Sequence, residues 1–229
     1  MQRGRRLTAA SGKEVGTAAP RLVGMLDSPY VRRVAIALDV LGLPFEHQSL
    51  SVFSTFEQFR AINPVVKAPT LVCADGSVLM DSSLILQYLE ADSTVALWPA
   101  DPVQRRAAFA AVGLALAACE KGAQLVYERQ LRPADKQFEP WCARVLAQML
   151  AAWSALEQQV ASKGALFADA RQHPAMCTAV VWEFTQSMLA AQVDAASFPA
   201  IAALSARLEA SPHFLKFPPA GPGVPGQAT

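Results

Sequence analysis

The hydrophobic pattern of this 229-residue chain changes character once, near residues 98–102. Before that point, short β-rich runs alternate with stretches of helical periodicity in the order β-α-β-α-β-β-α. A strand-helix-strand start predicts a right-handed parallel crossover, and the last two strands predict an antiparallel hairpin at the sheet edge. The predicted strands cover 21–25, 45–50, 70–73 and 77–80, and the predicted helices cover 29–41, 55–62 and 83–90.

After residue 102 the pattern is helical throughout, with breaks at proline and glycine residues and no convincing strand. Helices are predicted over 103–130, 138–163, 175–193 and 200–210. A small α/β unit has a thin core by itself, so packing one face against these helices would stabilise both parts. We therefore predict two closely packed domains, an α/β domain over 21–96 and an all-α domain over 103–216.

Composition narrows the class of protein. Hydrophobic residues make up 52% and charged residues 17% of the chain, which excludes intrinsic disorder for its body. The formal net charge of +1 does not favour a nucleic acid or an anionic membrane as partner. The longest apolar run, residues 107–119, is shorter than the roughly 20 residues that a membrane span needs, so we predict a buried helix there.

The four cysteines are far apart and form no Cys-x-x-Cys pair, and the three histidines are scattered. Neither set has the spacing of a metal site, so we expect no metal and no bound cofactor. We find no export signal, and we expect reduced thiols in a cytoplasmic protein. The two ends, basic residues 1–20 and the Pro/Gly-rich residues 217–229, are expected to be flexible tails.

The sharpest local feature is Ser28 followed by Pro29, between the first strand and the first helix. Serine is a favoured N-cap and proline a favoured first helical residue, so Ser28 could simply cap the helix, which stabilises it by about 1 kcal/mol. The same place is also suited to hold an anion, because free backbone N–H groups and the helix dipole favour negative charge. A thiol held there would have a lowered pKa. These residues alone leave both interpretations open.

Two further places could bind an extended peptide or an amino acid. Pro69 begins a strand, and a cis bond before it would leave the N–H and C=O of Ala68 free to pair with an extended ligand. Ser82, after Asp81, could be a plain N-cap of the third helix. As a site, the Ser82 hydroxyl would bind a carboxylate and Asp81 would pair with an ammonium group, which together describe the head group of an amino acid.

In combination, four motifs resemble the glutathione S-transferase family. Residues 28–33, Ser-Pro-Tyr-Val-Arg-Arg, resemble the opening of its first helix in serine-type bacterial members, and 63–71 resemble its Asn-Pro…Lys-Val-Pro-x-Leu segment, whose proline is cis. Residues 81–82 resemble its Glu/Asp-Ser pair, and 198–212 its Tyr/Phe-Pro…Arg…Pro ending. The resemblance covers about residues 21–216. It implies a thioredoxin-like α/β N-terminal domain, an all-helical C-terminal domain and a homodimer.

The resemblance also implies roles for individual residues. Ser28 would be catalytic and donate a hydrogen bond to the thiolate of glutathione, which is a co-substrate and not a resident cofactor. Ala68 would pair with the cysteinyl unit through its backbone. Asp81 and Ser82 would hold the γ-glutamyl head group, and Lys67 could reach the glycyl carboxylate.

The function implied is attack by the glutathione thiolate on a small hydrophobic electrophile. Three aromatic residues, Phe53, Phe109 and Tyr127, are candidates for the electrophile pocket, and Tyr30 is expected to pack. Disulfide chemistry through a protein thiol is disfavoured, because Ser28 stands where redox relatives carry a cysteine. Two alternatives stay open: a non-catalytic interaction or regulatory protein on the same fold, and a thiol-disulfide reductase that uses glutathione without a protein cysteine.

Overall fold

The structure is a computed structural model that describes residues 19–91, 93–221 and 223–225. Its first half is a sheet with three helices, and its second half is helical. The strands are β1 (Arg21–Val23), β2 (Glu46–Gln48), β3 (Thr70–Val72) and β4 (Val78–Met80). The helices are α1 (Pro29–Val40), α2 (Phe56–Ile62), α3 (Ser82–Glu90), α4 (Pro102–Leu131), α5 (Glu139–Ser162), α6 (His173–Leu189), α7 (Pro199–Glu209) and α8 (Pro212–Leu215).

The sheet has the strand order β2-β1-β3-β4. β1 pairs in parallel with β2, so that Leu22 is opposite His47, and antiparallel with β3, so that Leu22 is opposite Leu71. β3 and β4 form the antiparallel hairpin. The predicted thioredoxin-like α/β domain with a helical second half is therefore confirmed, including the parallel crossover through α1.

α1 is the central helix of the molecule. It packs against β1 and α3 on the side of the α/β domain and against α6 and α8 on the side of the helical domain. Ten of its 12 residues are buried. Arg32 is 1% exposed, and its guanidinium donates two hydrogen bonds, of 2.7 and 2.6 Å, to the carboxylate of Glu209 in α7. This ion pair joins the two domains, because its partners come from different halves of the chain.

The helical domain is built on α4, which packs against α5 and α6. Trp182 lies at its centre, with edge-to-face contacts to Trp153 and Phe198. Among the described residues, α4 is the one helix long and apolar enough to cross a membrane by length and composition, and 44% of its most apolar stretch is buried in the protein. Alanines 108, 111, 115 and 118 are each fully buried, so α4 has the packing of a core helix.

The two predicted tails lie only partly within the described residues. Residues 1–18 lie outside the described residues, and so do 226–229. Residues 217–221 and 223–225 follow the core of the helical domain without regular secondary structure and lie against the start of α1. Three hydrogen bonds join this segment to Asp27 and Arg32, two of them donated by these residues and one donated by Gly223 to the Asp27 carboxylate.

Candidate functional site

A cavity of about 800 Å³ opens between the two domains. The α/β domain contributes four segments to its wall, residues 25–30, 50–53, 65–69 and 81–83. α4, α6 and the C-terminal segment complete it. All five residues assigned to the site from the sequence line this cavity: Ser28, Lys67, Ala68, Asp81 and Ser82. The tertiary structure therefore brings together three stretches that are far apart in the chain.

Ser28 precedes α1 at the N-cap position, but its side chain makes no capping hydrogen bond. Its backbone carbonyl accepts from the N–H groups of Val31 at 3.1 Å and Arg32 at 2.9 Å, while Pro29 has no N–H to satisfy. The hydroxyl is therefore not used in holding the helix together. It lies in the cavity wall at the positive end of the α1 dipole, where a negatively charged ligand is stabilised.

The buried side chain of Asn63 organises the loop that carries Lys67 and Ala68. Its Oδ1 accepts from the N–H of Val65 at 3.0 Å, and its Nδ2 donates to Oγ1 of Thr70 at 2.8 Å. The Thr70 hydroxyl in turn donates to the carbonyl of Lys67 at 2.7 Å. The peptide bond from Ala68 to Pro69 is cis. Within the described part of the chain, neither the N–H nor the C=O of Ala68 has a hydrogen-bond partner.

Gly24 allows this loop to approach α1. It has φ of +137°, and a Cβ atom there would lie 2.6 Å from Cγ2 of Val31 and 3.2 Å from Cβ of Ala68. Any side chain would therefore push apart the start of α1 and the loop with the free backbone groups. The glycine brings Ser28 and Ala68 into one cavity wall.

The N-terminus of α3 supplies the third part of the wall. Asp81, with φ of +72°, is the N-cap, and its Oδ1 accepts from the N–H of Ser83 at 2.9 Å and of Leu84 at 3.4 Å. The interpretation of Ser82 as the cap is therefore wrong: Ser82 is the first residue of the helix. It is 4% exposed, and its hydroxyl accepts from Nη1 of the buried Arg33 at 3.4 Å. Oδ2 of Asp81 has no partner among the described residues.

The rest of the cavity lining is mainly apolar. Phe53 and Tyr127, both predicted, pack edge to face with ring centroids 5.7 Å apart. The prediction for Phe109 is wrong, because its ring stacks on Trp98 at 4.2 Å, is 56% exposed and does not line the cavity. The sequence analysis missed several other apolar lining residues: Leu50, Val52, Val65, Leu116, Val126, Phe184, Met188 and Val224.

Part of this missed wall has a signal in the sequence. Leu116, Glu120, Ala123 and Tyr127 are spaced by four, three and four residues, so they form one stripe along α4. Because Tyr127 was predicted to line the cavity, the helical spacing could also have predicted the other residues of this stripe. The α6 residues have no such signal, because α6 is apolar on most of its surface and the cavity-facing positions do not differ from the core positions.

Tyr30 lines the cavity but is engaged with the core. Its hydroxyl hydrogen-bonds with the thiol of Cys119, and burial raises the pKa of Tyr30 above its usual value. Burial also raises the pKa of Cys119 to about 12. Both groups are therefore neutral near pH 7, and neither is an activated nucleophile.

Charge is unevenly distributed in the cavity. Lys67 is its one cationic lining side chain among the described residues, and it lies on the loop beside Ala68. Asp27 and Glu120 are acidic, and burial raises the pKa of Asp27 although the N–H of Gly223 opposes this. No three His, Cys, Asp or Glu side chains in residues 19–91, 93–221 and 223–225 lie close enough together to hold a metal ion.

The chain is similar to one protein-family model and to several known proteins. Residues 22–94 match the family model described as the N-terminal domain of glutathione S-transferase. Maleylacetoacetate isomerase from Pseudomonas aeruginosa PAO1 is 30% identical over 146 residues, which cover 60% of this chain and 68% of that protein. The chain belongs to the glutathione S-transferase family.

Two further family members extend the likeness. The uncharacterized GST-like protein YibF of Escherichia coli K12 is 32% identical over 120 residues, 52% of this chain and 59% of that protein. A crystal structure of a glutathione S-transferase from Methylobacterium radiotolerans in complex with glutathione sulfonate has a TM-score of 0.79 at 26% identity, covering 93% of this chain and 100% of the other. The chain spans 59% or less of the length of the Escherichia coli protein and of the plant glutathione S-transferases that it matches.

Proposed function

We propose that this family member is a glutathione transferase that binds glutathione in the cavity and transfers it to a small hydrophobic electrophile. One observation carries the proposal: polar groups that still have unused hydrogen-bonding capacity converge on the same cavity from three segments. They are the Ser28 hydroxyl, the backbone of Ala68, and the N-terminus of α3 with Asp81 and Ser82. Buried or half-buried polar groups are normally paired, so their convergence here supports a polar ligand.

A tripeptide with a zwitterionic head fits these groups one by one. The Ser82 hydroxyl and the N-terminus of α3 are suited to the γ-glutamyl carboxylate, and Oδ2 of Asp81 to its ammonium group. The N–H and C=O of Ala68 would pair with the cysteinyl backbone, in the manner of an added strand. Lys67 would pair with the glycyl carboxylate. The thiol would then lie beside Ser28.

Catalysis would come from stabilising the thiolate and from holding the two reactants together. The Ser28 hydroxyl would donate a hydrogen bond to the sulfur, and the α1 dipole would also favour its negative charge, so both would lower the thiol pKa. The thiolate would form a carbon–sulfur bond to the electrophile. In a substitution, the electron pair of the broken bond would leave with the departing group. Phe53 and Tyr127 would hold the electrophile next to the sulfur.

An isomerase acting on maleylacetoacetate is the other activity that the comparisons suggest. Maleylacetoacetate carries two carboxylates, and an anionic substrate is favoured by cationic lining groups. Besides Asp81, which is assigned to the glutamyl ammonium group, two acidic residues, Asp27 and Glu120, line the cavity, and Lys67 lies on the loop assigned to glutathione. This charge distribution favours a neutral, apolar electrophile over a dicarboxylate.

The redox alternative and the non-catalytic alternative predict different experimental results. A reductase that uses glutathione without a protein cysteine would cleave a mixed disulfide and would not form a thioether, so the two activities differ in their products. Chemistry through a protein thiol has no support at this site, because none of the described cysteines lines the cavity. Cys73 is outside the cavity wall, and burial raises the pKa of its thiol. A Cys73→Ser variant that keeps conjugation while Ser28→Ala loses it would support the transferase. A regulatory protein on this fold would have no affinity for glutathione.

We also propose that the protein works as a homodimer in the cytoplasm. Support for a dimer comes from α3, where Leu84 is 62% exposed and Tyr88, one helical turn later, is 54% exposed. Light scattering on the purified protein would test the mass of the assembly. A monomer at micromolar concentration would contradict the dimer without affecting the proposed chemistry.

Calorimetry with glutathione and a conjugation assay with an activated aryl halide test the proposal directly. We expect the wild-type protein to bind glutathione and form the thioether. Ser82→Ala removes a hydrogen bond to a charged group, so the dissociation constant of glutathione should rise about tenfold. Ser77→Ala, in the exposed β3–β4 turn, is the matched control and should bind like the wild type. Lack of glutathione binding in the wild-type protein would contradict the proposed function.

A further inference from the structure

The C-terminal segment that follows α8 crosses the start of α1, directly beside the cavity. Nε of Arg32 donates to the carbonyl of Phe217 at 2.7 Å. The N–H of Asp27 donates to the carbonyl of Ala220 at 3.1 Å, and Oδ2 of Asp27 accepts from the N–H of Gly223 at 3.0 Å. We call residues 217–221 and 223–225 the C-terminal strap. Asp27 holds it through both its backbone and its side chain.

The strap lies so close to Asp27 that a side chain at position 221 would displace the Asp27 carboxylate. A Cβ atom built on Gly221 would overlap the carboxylate of Asp27. That carboxylate cannot move aside without losing its hydrogen bond to Gly223. A methyl group at position 221 should therefore break this hydrogen bond and weaken the hold of Asp27 on the strap.

Beyond this contact, the strap enters the cavity wall. Gly223 and Val224 line the cavity, and Val224 is only 8% exposed although it lies outside every helix and strand. Asp27 is the residue immediately before Ser28. The strap therefore meets the cavity wall beside Ser28, at the end of the cavity where the glutathione sulfur is expected.

We propose that the C-terminal strap is a fixed wall of the electrophile side, with Asp27 as its positioning residue and Val224 as a specificity-determining residue. The proposal rests on the proposed function, since it concerns the group attached to the glutathione sulfur. An apolar substituent on the sulfur gains contact with Val224 while the strap is in place. Releasing the strap opens this side to water and removes that contact.

The affinity of the protein for S-alkylated glutathiones tests the proposed role of the strap without any chemical step. Affinities of glutathione, S-methylglutathione and S-hexylglutathione are measured by calorimetry for the wild type, Gly221→Ala and Val224→Ala. We expect Gly221→Ala to weaken S-hexylglutathione about fivefold and Val224→Ala about threefold, with glutathione itself changed less than about twofold. Gly164→Ala is the matched control, because a Cβ there meets nothing within 4 Å, and it should leave all three affinities unchanged.

Hydrogen exchange gives a second readout that needs no ligand. The amide of Gly223 should be protected in the wild type and should exchange about tenfold faster in Gly221→Ala, with the same global stability. Two results would contradict the proposed role of the strap without affecting the proposed function. One is an unchanged S-hexylglutathione affinity in both variants. The other is tighter binding in a variant, which would mean that the strap blocks the cavity. Failure of the wild type to bind glutathione would instead overturn the proposed function.

Discussion

Replacing Ser28 by alanine separates the two roles that this residue could have. The Ser28 side chain makes no capping hydrogen bond, so its removal should cost α1 little. We expect the free energy of unfolding to change by less than about 0.5 kcal/mol, against about 1 kcal/mol for the loss of a working N-cap. The effect on bound glutathione should be much larger, because there the hydroxyl would contact a charged sulfur.

The size of that effect follows from the strength of one hydrogen bond to an ion. Such a bond contributes about 1.5–3 kcal/mol, and about 1.4 kcal/mol corresponds to one pKa unit. The donor favours the thiolate, so its loss should raise the pKa of the bound thiol by about one to two units. The pKa of the bound thiol should not rise further than this, because the α1 dipole, which also favours the thiolate, is unchanged by the substitution.

The pH dependence of conjugation measures this shift. Below both pKa values the Ser28→Ala rate should be about 10 to 100 times lower than the wild-type rate, and the difference should shrink as pH rises and both thiols ionise. Thiolate absorbance of the glutathione complex gives the pKa without turnover, and Ser28→Thr, which keeps the hydroxyl, should restore most of the rate. A variant with wild-type thiol pKa and about 1 kcal/mol less stability would show that Ser28 is only a helix cap.

Other contacts make three further predictions. Glu209→Gln leaves the buried Arg32 guanidinium without its counter-charge and should lower the free energy of unfolding by about 3 kcal/mol in urea titrations; a loss below about 1 kcal/mol would mean that the pair does not join the domains. Gly24→Ala should both destabilise the fold by about 1–3 kcal/mol and weaken glutathione binding, whereas Gly76→Ala, also at positive φ but with open space around it, should affect stability alone. Cys119, whose pKa burial raises to about 12, should resist alkylation at pH 7–8 in the folded protein, and fast labelling without unfolding would refute this.

The order of secondary-structure elements could be predicted from the sequence because it depends on local patterns. Helical periodicity, proline and glycine breaks and the turn between β3 and β4 act over a few residues, and the observed boundaries differ from the predicted ones by only a few positions. The short strands are the main difference. β1 ends at Val23, because Gly24 adopts a positive φ that lets the backbone turn toward the loop at Ala68.

Three of the candidate site residues could be predicted because each carries a local signal, whereas Lys67 was predicted from the family resemblance alone. Ser28 precedes a proline at a helix start, Ala68 precedes a proline at a strand start, and Ser82 follows an acidic residue at a helix start. The identity of the cap at α3 was not predictable in this way. Asp81 takes that role because β4 passes directly into α3, which requires a positive φ at the junction.

The sequence by itself determined which elements form and which polar residues stand at their ends, since both depend on neighbours a few positions away. Only the tertiary structure decided which of them meet. The ring of Phe109 stacks on Trp98 and does not line the cavity, whereas Phe184, for which the sequence has no signal, does line it. A Pro/Gly-rich segment is hydrogen-bonded to Asp27, which lies about 190 residues earlier in the chain. These outcomes depend on contacts between segments that are far apart in the chain, and a local sequence pattern cannot predict which distant segments will be in contact.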